Sequence, residues 1–329
     1  MELEPDSTFP LLQSSLDGSS INELTDISLG TYIQAATSDN TRRAYQSDIR
    51  HFMDWGGVLP TTTETILHYL QQHATQLNPR TLVRRLTGLK QWHLYQGFAD
   101  PTAHPLVRKT LKGIHYKQGT PKEKAAPLTL EILLQLANLL SQSQRLINLR
   151  NNALLQIGFF GAFRRSELVA LQYEHIQWVP EGIEILIPRS KTDQTGEGQI
   201  CAIPYGDEIL CPVNALKNWI ENTNITCGAI FRRVSKDNQI QGQPITAQQW
   251  NAIFKSLIQT CGLPEPDSYS SHSLRRGFAT TASKKGAAFG AIMQQGRWRH
   301  EGTVLGYIEE GKRFESNAAH HILKSTADK

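Results

Sequence analysis

Four short segments of the sequence hold polar residues at positions that a packing pattern alone would not give them. Their guanidinium, ammonium, imidazole and phenol groups can bind an anion, transfer a proton or attack an electrophile. In chain order, these residues are Arg164 with Glu167, then Lys191, then His272 with Arg275, and finally Trp298 with Tyr307.

Each of these residues also has an ordinary structural interpretation. Arg164 follows a glycine break between two apolar helices, with Glu167 three residues later at a helix start. A buried arginine is costly unless it is paired, yet an arginine at a helix end is often solvated. A lysine in a polar loop, such as Lys191, is usually solvated as well. His272 could be a satisfied core histidine, and Tyr307 could be the core residue of an amphipathic helix.

The hydrophobic pattern predicts the elements that must position these residues. Strands at 183–187 and 199–203 would flank a polar hairpin tip that holds Lys191, and Gly161 would end the helix before Arg164. A helix that Gly286 stops would begin at Ser271 or His272. Further helices are predicted at 129–140, 149–160, from Pro212, from Thr246 to Gly262, at 287–295, at 301–311 and at 316–324.

The chain upstream has a different character. Residues 1–27 are acidic and serine-rich, which predicts a flexible tail. Residues 28–116 predict a small helical domain, and the charged segment 117–127, with two prolines, is the best linker candidate. Residues 128–329 form the second predicted domain. The expected fold is mainly α: a helical N-terminal domain and a mixed α/β domain that is mostly α with one small antiparallel sheet.

Composition excludes several classes of protein. The 329 residues, 39% of them hydrophobic, suffice for about two domains. No apolar stretch reaches the roughly 18 residues of a membrane span, and the N-terminus lacks the basic and apolar regions of a signal peptide. The four cysteines are scattered, unlike zinc ligands. We therefore expect a soluble cytoplasmic protein with no metal and no cofactor.

The net charge of +4 hides an asymmetry between regions of the chain. Residues 1–30 hold six acidic residues and no Lys or Arg, whereas residues 31–126 hold 13 basic and six acidic residues. A basic N-terminal half is what a phosphate-binding surface requires.

The order and spacing of the four segments resemble the tyrosine recombinase (phage integrase) family over nearly the whole chain. The resemblance rests on Arg-x-x-Glu, a hairpin lysine, His272-Ser273-Leu274-Arg275, and Trp298 nine residues before Tyr307. More loosely, Thr41-Arg42-Arg43-Ala44-Tyr45 with Asp48, Phe52 and Trp55 is similar to the start of that family's core-binding domain.

Two departures from the family pattern leave rival candidates. Ala162-Phe163-Arg164 stands where the family has Gly-Leu-Arg, and a second arginine, Arg165, follows. The family often has histidine where Trp298 stands, and His300 is close by. The Arg-x-x-Glu spacing favours Arg164, and the nine-residue spacing to Tyr307 favours Trp298.

The resemblance implies a role for each residue. Tyr307 would attack a DNA phosphodiester, giving a 3′-phosphotyrosine and a free 5′-hydroxyl without ATP or metal ions. Arg164 and Arg275 would bind the nonbridging oxygens, and His272 would accept the phenol proton. Lys191 would protonate the departing 5′-oxygen. Trp298 would donate to the phosphate or pack on the nucleophile, and Glu167 would orient its neighbours.

The resemblance also implies partners. These are double-stranded DNA with a specific recombination site and further copies of the chain, as a dimer on one site and a tetramer in the synapse. Residues 316–325 are expected to dock on a neighbouring protomer. The candidates for contacting DNA, mainly at phosphates, are Arg42, Arg43, Arg80, Arg84, Arg85 and Lys90. The alternative for this set is a solvated basic face.

Three functions are compatible with these residues. The first is a site-specific recombinase for integration, excision or resolution, and the second is a type IB topoisomerase-like enzyme that relaxes DNA without exchanging partners. The third is a DNA-binding protein that has lost catalysis. The core-binding domain and the docking helix favour the first function, and the occupied catalytic positions argue against the third.

Overall fold

A computed structural model describes residues 37–121, 123–188, 198–311 and 319. Three predicted features lie outside these residues: the acidic tail 1–27, Lys191 in the hairpin tip, and the docking helix 316–325 except for Ala319.

The chain divides into two compact units, Met1–Lys122 and Glu123–Lys329. The N-terminal unit is helical and the C-terminal unit is mostly helical with small antiparallel sheets, so the predicted fold class is confirmed. In the described ranges, no helix is both long enough and apolar enough to cross a membrane.

The helices of the N-terminal unit begin where the sequence offers caps. The side chains of Ser38, Thr62 and Asn78 each accept a backbone N–H at a helix start, which stabilises the first turn. Proline occupies the first turn of the last two helices, where its missing N–H costs nothing. The helices are α1 Asp39–Asp54, α2 Thr63–His73, α3 Pro79–Tyr95 and α4 Pro105–Gln118.

The core of this unit forms where α1, α2 and α3 meet. Phe52, Tyr69 and Leu89 are fully buried there. Helices α1 and α3 approach closely at Gly88, because a Cβ on Gly88 would lie 3.3 Å from the Cβ of Asp48. This close approach places the Asp48 carboxylate beside the arginines of α3.

The C-terminal unit is built around one buried helix. That helix, α6, packs against α5, α8 and α10, and its residues from Leu149 to Phe159 are almost all buried. It begins earlier than predicted, because the Asn238 side chain accepts the N–H of Leu146 at 2.8 Å. The helices are α5 Leu130–Ser141, α6 Leu146–Phe160, α7 Arg165–Val169, α8 Pro212–Thr223, α9 Ala247–Thr260, α10 His272–Lys284, α11 Phe289–Gly296 and α12 Glu301–Gly311.

Two small antiparallel sheets lie in the described part of this unit. The first has the order β1 Ile176–Val179, β2 Gly182–Ile187 and β3 Gln199–Pro204. The predicted pairing of its last two strands is confirmed, with Ile185 opposite Cys201. The prediction of a single sheet is wrong, because β4 Arg232–Val234 pairs with β5 Ile240–Pro244. These strands are short and polar and lack the apolar alternation that would identify them.

Two clusters of apolar residues hold the C-terminal unit together. The larger one surrounds α6 and includes the fully buried Trp219 and Trp250. A smaller one joins Ala279 of α10, Ile292 of α11 and Val304 of α12. This smaller cluster packs the three helices of residues 272–311 on one another.

Candidate active site

A tight turn after α6 places Arg164. Ala162 has a left-handed backbone with a φ of 45°, and the N–H of Phe163 donates back to the Gly158 carbonyl at 3.2 Å. Arg164 then precedes α7 in an extended conformation. The turn therefore sets Arg164 at the C-terminal end of α6, where the last carbonyl groups of the helix carry partial negative charge.

Glu167 fixes the Arg164 side chain. The guanidinium donates to one carboxylate oxygen at 2.5 Å, and the Arg164 backbone N–H donates to the other at 3.0 Å. Burial alone would raise the pKa of Glu167. The hydrogen bonds from Arg164 and the charges of Arg164 and Arg297 outweigh it, so the pKa lies below its usual range. Glu167 is therefore an ionised, buried anchor for Arg164.

Arg275 approaches the same turn from α10. Its side chain is 6% exposed, and its Nη1 donates to the Ala162 carbonyl. Its guanidinium lies 4.1 Å from the centre of the Trp298 ring, and its buried Nη2 has no hydrogen-bond partner in the described part of the chain. Burial, followed by the charges of Arg164 and Arg297, lowers the pKa of Arg275 to about 9, so it remains charged at neutral pH.

His272 is the first residue of α10, one turn before Arg275. Its backbone N–H donates to the Ser270 hydroxyl at 3.2 Å, which holds the start of the helix. The residue is exposed, whereas the neighbouring Ser273 and Arg275 are buried. His272 is thus the accessible member of this pair, open to a large substrate.

Trp298 and Tyr307 lie against each other across the loop between α11 and α12. Their ring centres are 6.3 Å apart in an edge-to-face arrangement. The Trp298 ring folds back over Gly296, where any Cβ would clash with it at 1.7 Å. Tyr307 is half-buried, and its carbonyl accepts from the Thr280 hydroxyl at 3.3 Å. The indole therefore lies between the phenol and the Arg275 guanidinium.

An ion-pair network holds the C-terminal end of the Tyr307 helix. Glu310 accepts hydrogen bonds from Arg276 and from Lys124. Arg276 is buried, donates to the Ala125 carbonyl, and lies 5.2 Å from the centre of the Tyr307 ring. These contacts join α12 both to α10 and to the start of the C-terminal unit.

The structure brings together most of the predicted catalytic residues in connected contacts. Arg164 pairs with Glu167, Arg275 packs on Trp298, and Trp298 packs on Tyr307. Of the two rivals, Arg165 is not the partner of Glu167 in any salt bridge of the described residues, and His300 is exposed. Lys191 lies outside the described residues.

Sequence reasoning missed three residues of this cluster: Arg297, Arg276 and Glu310. Arg297 is buried, forms an ion pair with Glu167 at 3.7 Å, and has a left-handed backbone with a φ of 54°. Nothing in the sequence marks such an arginine, since the left-handed region usually holds glycine. The spacing of Arg276 before Glu310 carries no helical periodicity, so that pair could not be predicted either.

The DNA-binding candidates of the N-terminal unit differ in how they are held. Arg84 is 47% exposed and pairs with the buried Asp48 at 2.9 Å. Arg85 is 13% exposed and donates to the Tyr69 hydroxyl at 3.0 Å, so it offers the least surface to a phosphate. Of the rest, Arg43 is exposed, Arg42 pairs with Asp39, Lys90 lies 3.8 Å from Asp100, and Arg80 donates to the Thr120 carbonyl.

Burial opposes ionisation of Asp48. It raises the pKa of the carboxyl above its usual range, although the charges of Arg84 and Arg85 act in the opposite direction. One carboxylate oxygen is buried and has no hydrogen-bond partner among the described residues. The Asp48 carboxylate thus orients Arg84, although its burial removes it from water and destabilises its charged form.

The chain is similar to known proteins in its sequence and in its fold. The family model described as "Phage integrase family" matches residues 129–313. The chain is 36% identical to the "Integrase/recombinase xerD homolog" of Selenomonas ruminantium, over 92% of this chain and 90% of the relative. It is 25% identical to "Recombinase cre" of Escherichia phage P1, over 77% of each chain.

Solved structures show the same fold. XerH site-specific recombinase bound to a palindromic difH substrate matches with a TM-score of 0.61 and 18% identity, over 85% of this chain and 78% of that one. A lambda integrase dimer bound to a COC′ core site matches with a TM-score of 0.59 and 15% identity, over 85% and 74%. The chain therefore belongs to the phage integrase family, the tyrosine recombinases, which cleave and rejoin DNA strands.

Proposed function

We propose that this chain is a site-specific recombinase in which Tyr307 cleaves duplex DNA through a covalent 3′-phosphotyrosine. The observation that carries the proposal is the buried Arg275 guanidinium, which packs on Trp298 beside Tyr307. Its Nη2 has no hydrogen-bond partner among the residues that the structure describes. A fixed cationic donor with an unused hydrogen bond next to a phenol suits a phosphate at that point.

Arg164 and Arg275 bind the nonbridging oxygens of the scissile phosphate in this proposal. Attack on the phosphorus increases the negative charge on these oxygens, and donors already in place stabilise that charge without reorganisation. Glu167 holds Arg164, and the Ala162 carbonyl holds Arg275. Both guanidinium groups are thus held before DNA arrives.

The chemical step is a transesterification. The Tyr307 oxygen forms a bond to phosphorus as the bond from phosphorus to the 5′-oxygen breaks. His272, exposed beside the cluster, accepts the phenol proton, and Lys191 gives a proton to the departing 5′-oxygen. Attack by a 5′-hydroxyl from a partner strand reverses the step and releases Tyr307. The phosphotyrosine keeps the phosphoester linkage, so rejoining needs no ATP.

The two units have separate tasks in this proposal. Residues 28–116 form the core-binding domain, with the six basic candidates directed at DNA phosphates. Residues 128–329 form the catalytic domain, with 117–127 as the linker. The solved relatives include a recombinase bound to its difH substrate and a dimer bound to a core site, which supports a dimer on one site. The proposal extends this dimer to a tetramer on two sites. Residues 316–325 dock on the neighbouring protomer, and the protein acts in the cytoplasm.

A nicked suicide substrate tests the proposal. The bound site is first selected from a pool of random duplexes. A nick is then placed at successive positions, so that one of them lies just 3′ of the scissile phosphate and the short fragment with the new 5′-hydroxyl diffuses away after cleavage. We expect a covalent protein–DNA adduct with the wild type and none with Tyr307→Phe, which lacks only the nucleophilic hydroxyl. An adduct that survives in Tyr307→Phe contradicts the proposal.

The same assay separates the alternative functions. If two differently labelled sites yield recombinant products, the enzyme exchanges partners. Relaxation of a supercoiled plasmid without such products points to the topoisomerase-like function. A chain that binds its selected site but forms no adduct at any nick position is a catalytically silent DNA-binding protein.

A further inference from the structure

Arg297 follows α11 and directly precedes Trp298. Its side chain is 3% exposed, and its backbone has a φ of 54°. Glycine adopts this conformation freely, whereas a residue with a Cβ pays for it. A buried guanidinium adds a further desolvation cost. An arginine persists here only if its side chain makes contacts that offset both costs.

The contacts of Arg297 converge on the turn that carries Arg164. Its Nη2 donates to the Gly161 carbonyl at 2.9 Å and lies 3.7 Å from the Glu167 carboxylate. Its guanidinium lies 4.7 Å from the centre of the Phe163 ring. On its own side, Nη1 donates to the Gln295 carbonyl at 2.7 Å. One side chain therefore spans from the end of α11 to both ends of the turn.

Arg297 is the central member of a set of three. The carbonyls of three consecutive residues at the end of α6 each accept a hydrogen bond from a different side chain. Phe160 accepts from Gln295, Gly161 from Arg297 and Ala162 from Arg275. The last carbonyls of a helix have no partner within the helix, so these side chains satisfy them and fix the end of α6.

The charge of Arg297 is not needed for this capping, because Gln295 caps a neighbouring carbonyl with a neutral amide at 3.0 Å. The charge acts on Glu167 instead. Burial favours the neutral carboxylic acid, and Arg297 is one of the two arginines that hold the group ionised. An ionised Glu167 can accept both hydrogen bonds from Arg164.

We infer that Arg297 is a positioning residue, which locks the Arg164 turn and Glu167 onto the segment that leads into Trp298 and Tyr307. Arg164 and Arg275 are thereby held at one spacing for the scissile phosphate. The inference rests on the proposed phosphotyrosine chemistry. Arg297 itself touches neither the phosphate nor the phenol in this account.

Arg297→Gly is the decisive variant, because glycine suits the left-handed backbone while it removes the guanidinium. We expect the rate of adduct formation on the suicide substrate, at saturating protein, to fall about 100-fold, since small misplacements of reacting groups cost this much. The dissociation constant for the intact site should stay within about twofold of wild type, because contacts away from the cluster dominate binding.

The pH profile separates positioning from a general loss of structure. Without the charge of Arg297, Glu167 takes up its proton at a higher pH, so the acid limb of the rate profile should move to higher pH in Arg297→Gly. Arg297→Lys keeps a charge but cannot reach all the partners at once, and we expect an intermediate rate and a smaller shift.

Arg150→Lys is the matched control. Arg150 is also buried and donates to a backbone carbonyl, that of Arg232, but it lies near the opposite end of α6. Its rate of adduct formation and its pH profile should match those of wild type.

The outcomes distinguish this inference from the proposed function. If wild type forms adducts and Arg297→Gly does so at the wild-type rate with an unmoved acid limb, the inference is overturned. If Arg297→Gly fails to fold, Arg297→Lys decides, and a wild-type rate and profile there overturn it. If wild type forms no adduct on its selected site, the proposed function has failed instead.

Discussion

Each unit of this protein holds a buried carboxylate next to two arginines, and the pKa values of the two carboxyl groups shift in opposite directions. Glu167 lies beside Arg164 and Arg297, and its pKa is lowered. Asp48 lies beside Arg84 and Arg85, and its pKa is raised. Both carboxylates are less than a tenth exposed, so burial alone does not explain the difference.

Hydrogen bonds account for the contrast. Glu167 accepts a backbone N–H on one oxygen and a guanidinium N–H on the other. Asp48 pairs with Arg84 through one oxygen, and its other oxygen is buried with no partner in the ranges that the structure describes. A carboxylate whose two oxygens are satisfied is stabilised as an anion, whereas one left half-satisfied is not. In the proposed function, the first arrangement belongs to the catalytic cluster, and the second holds a half-exposed arginine that would contact DNA.

Replacing one arginine of each cluster should give the largest contrast. Arg164→Lys loses the planar fork that binds phosphate oxygens, so we expect adduct formation to slow by about 10²–10³-fold. Arg84→Lys should leave the rate within the bound complex unchanged, because that arginine is assigned only to binding. The measurement is single-turnover adduct formation at saturating protein. Equal losses in the two variants would contradict a division of labour between the clusters.

Neutralising each carboxylate should separate the two clusters in stability. Glu167→Gln leaves Arg297 buried without its counter-ion, and we expect a loss of about 3 kcal/mol in the free energy of unfolding. Asp48→Asn removes a charge whose burial already opposes ionisation, so the change should stay within about 1 kcal/mol. Urea unfolding of the full chain at pH 7 measures both. A loss in Asp48→Asn as large as that in Glu167→Gln would remove the distinction.

The pH dependence of these differences should have opposite signs. The advantage of wild type over Glu167→Gln should be complete above the ordinary glutamate pKa of 4.5 and shrink as pH falls below it. The stability of wild type relative to Asp48→Asn should be greatest at or below the ordinary aspartate pKa of 3.8. It should decrease as the pH rises from there through the higher pKa of Asp48 in the folded state. Unfolding midpoints of the three proteins across the acid range measure this. Parallel curves for the two variants would refute it.

The smallest expected effect concerns binding by Arg84. In Arg84→Ala, affinity for DNA should weaken at every sequence, and the slope of log affinity against log salt should fall by about 1 in magnitude, as for loss of one phosphate contact. Lys217→Ala is the control, since that exposed lysine pairs with Glu221 in the C-terminal unit and should leave the slope unchanged. An unaltered slope in Arg84→Ala would mean that Arg84 does not contact a DNA phosphate and belongs to a solvated basic face instead.

The sequence carried enough local information to predict most helices and the order of the site residues. The side chains of Ser38, Asn78 and Thr246 each accept a hydrogen bond from a backbone N–H a few residues later. Such helix caps can therefore be recognised from a short stretch of sequence. The pairing of β2 with β3 followed from two short apolar segments that flank a polar tip.

The remaining features depend on contacts between distant parts of the chain. Arg297 donates a hydrogen bond to the Gly161 carbonyl, more than a hundred residues away in the sequence. The hairpin of β4 and β5 lacks the apolar alternation by which a strand can be predicted. Asp48 lies in a helical stretch that gives no sign of how deeply its carboxylate is buried. A local sequence pattern does not show which polar groups will be hydrogen-bonded by residues far away in the chain.

The most direct test of the account is to identify the atom that joins protein to DNA. The suicide-substrate adduct, made with a label 5′ of the scissile phosphate, is digested with nuclease and protease and analysed by mass spectrometry. The account predicts a single modified peptide that carries a 3′-linked nucleotide on Tyr307. A 5′-linked nucleotide, or attachment to any other residue, would contradict it.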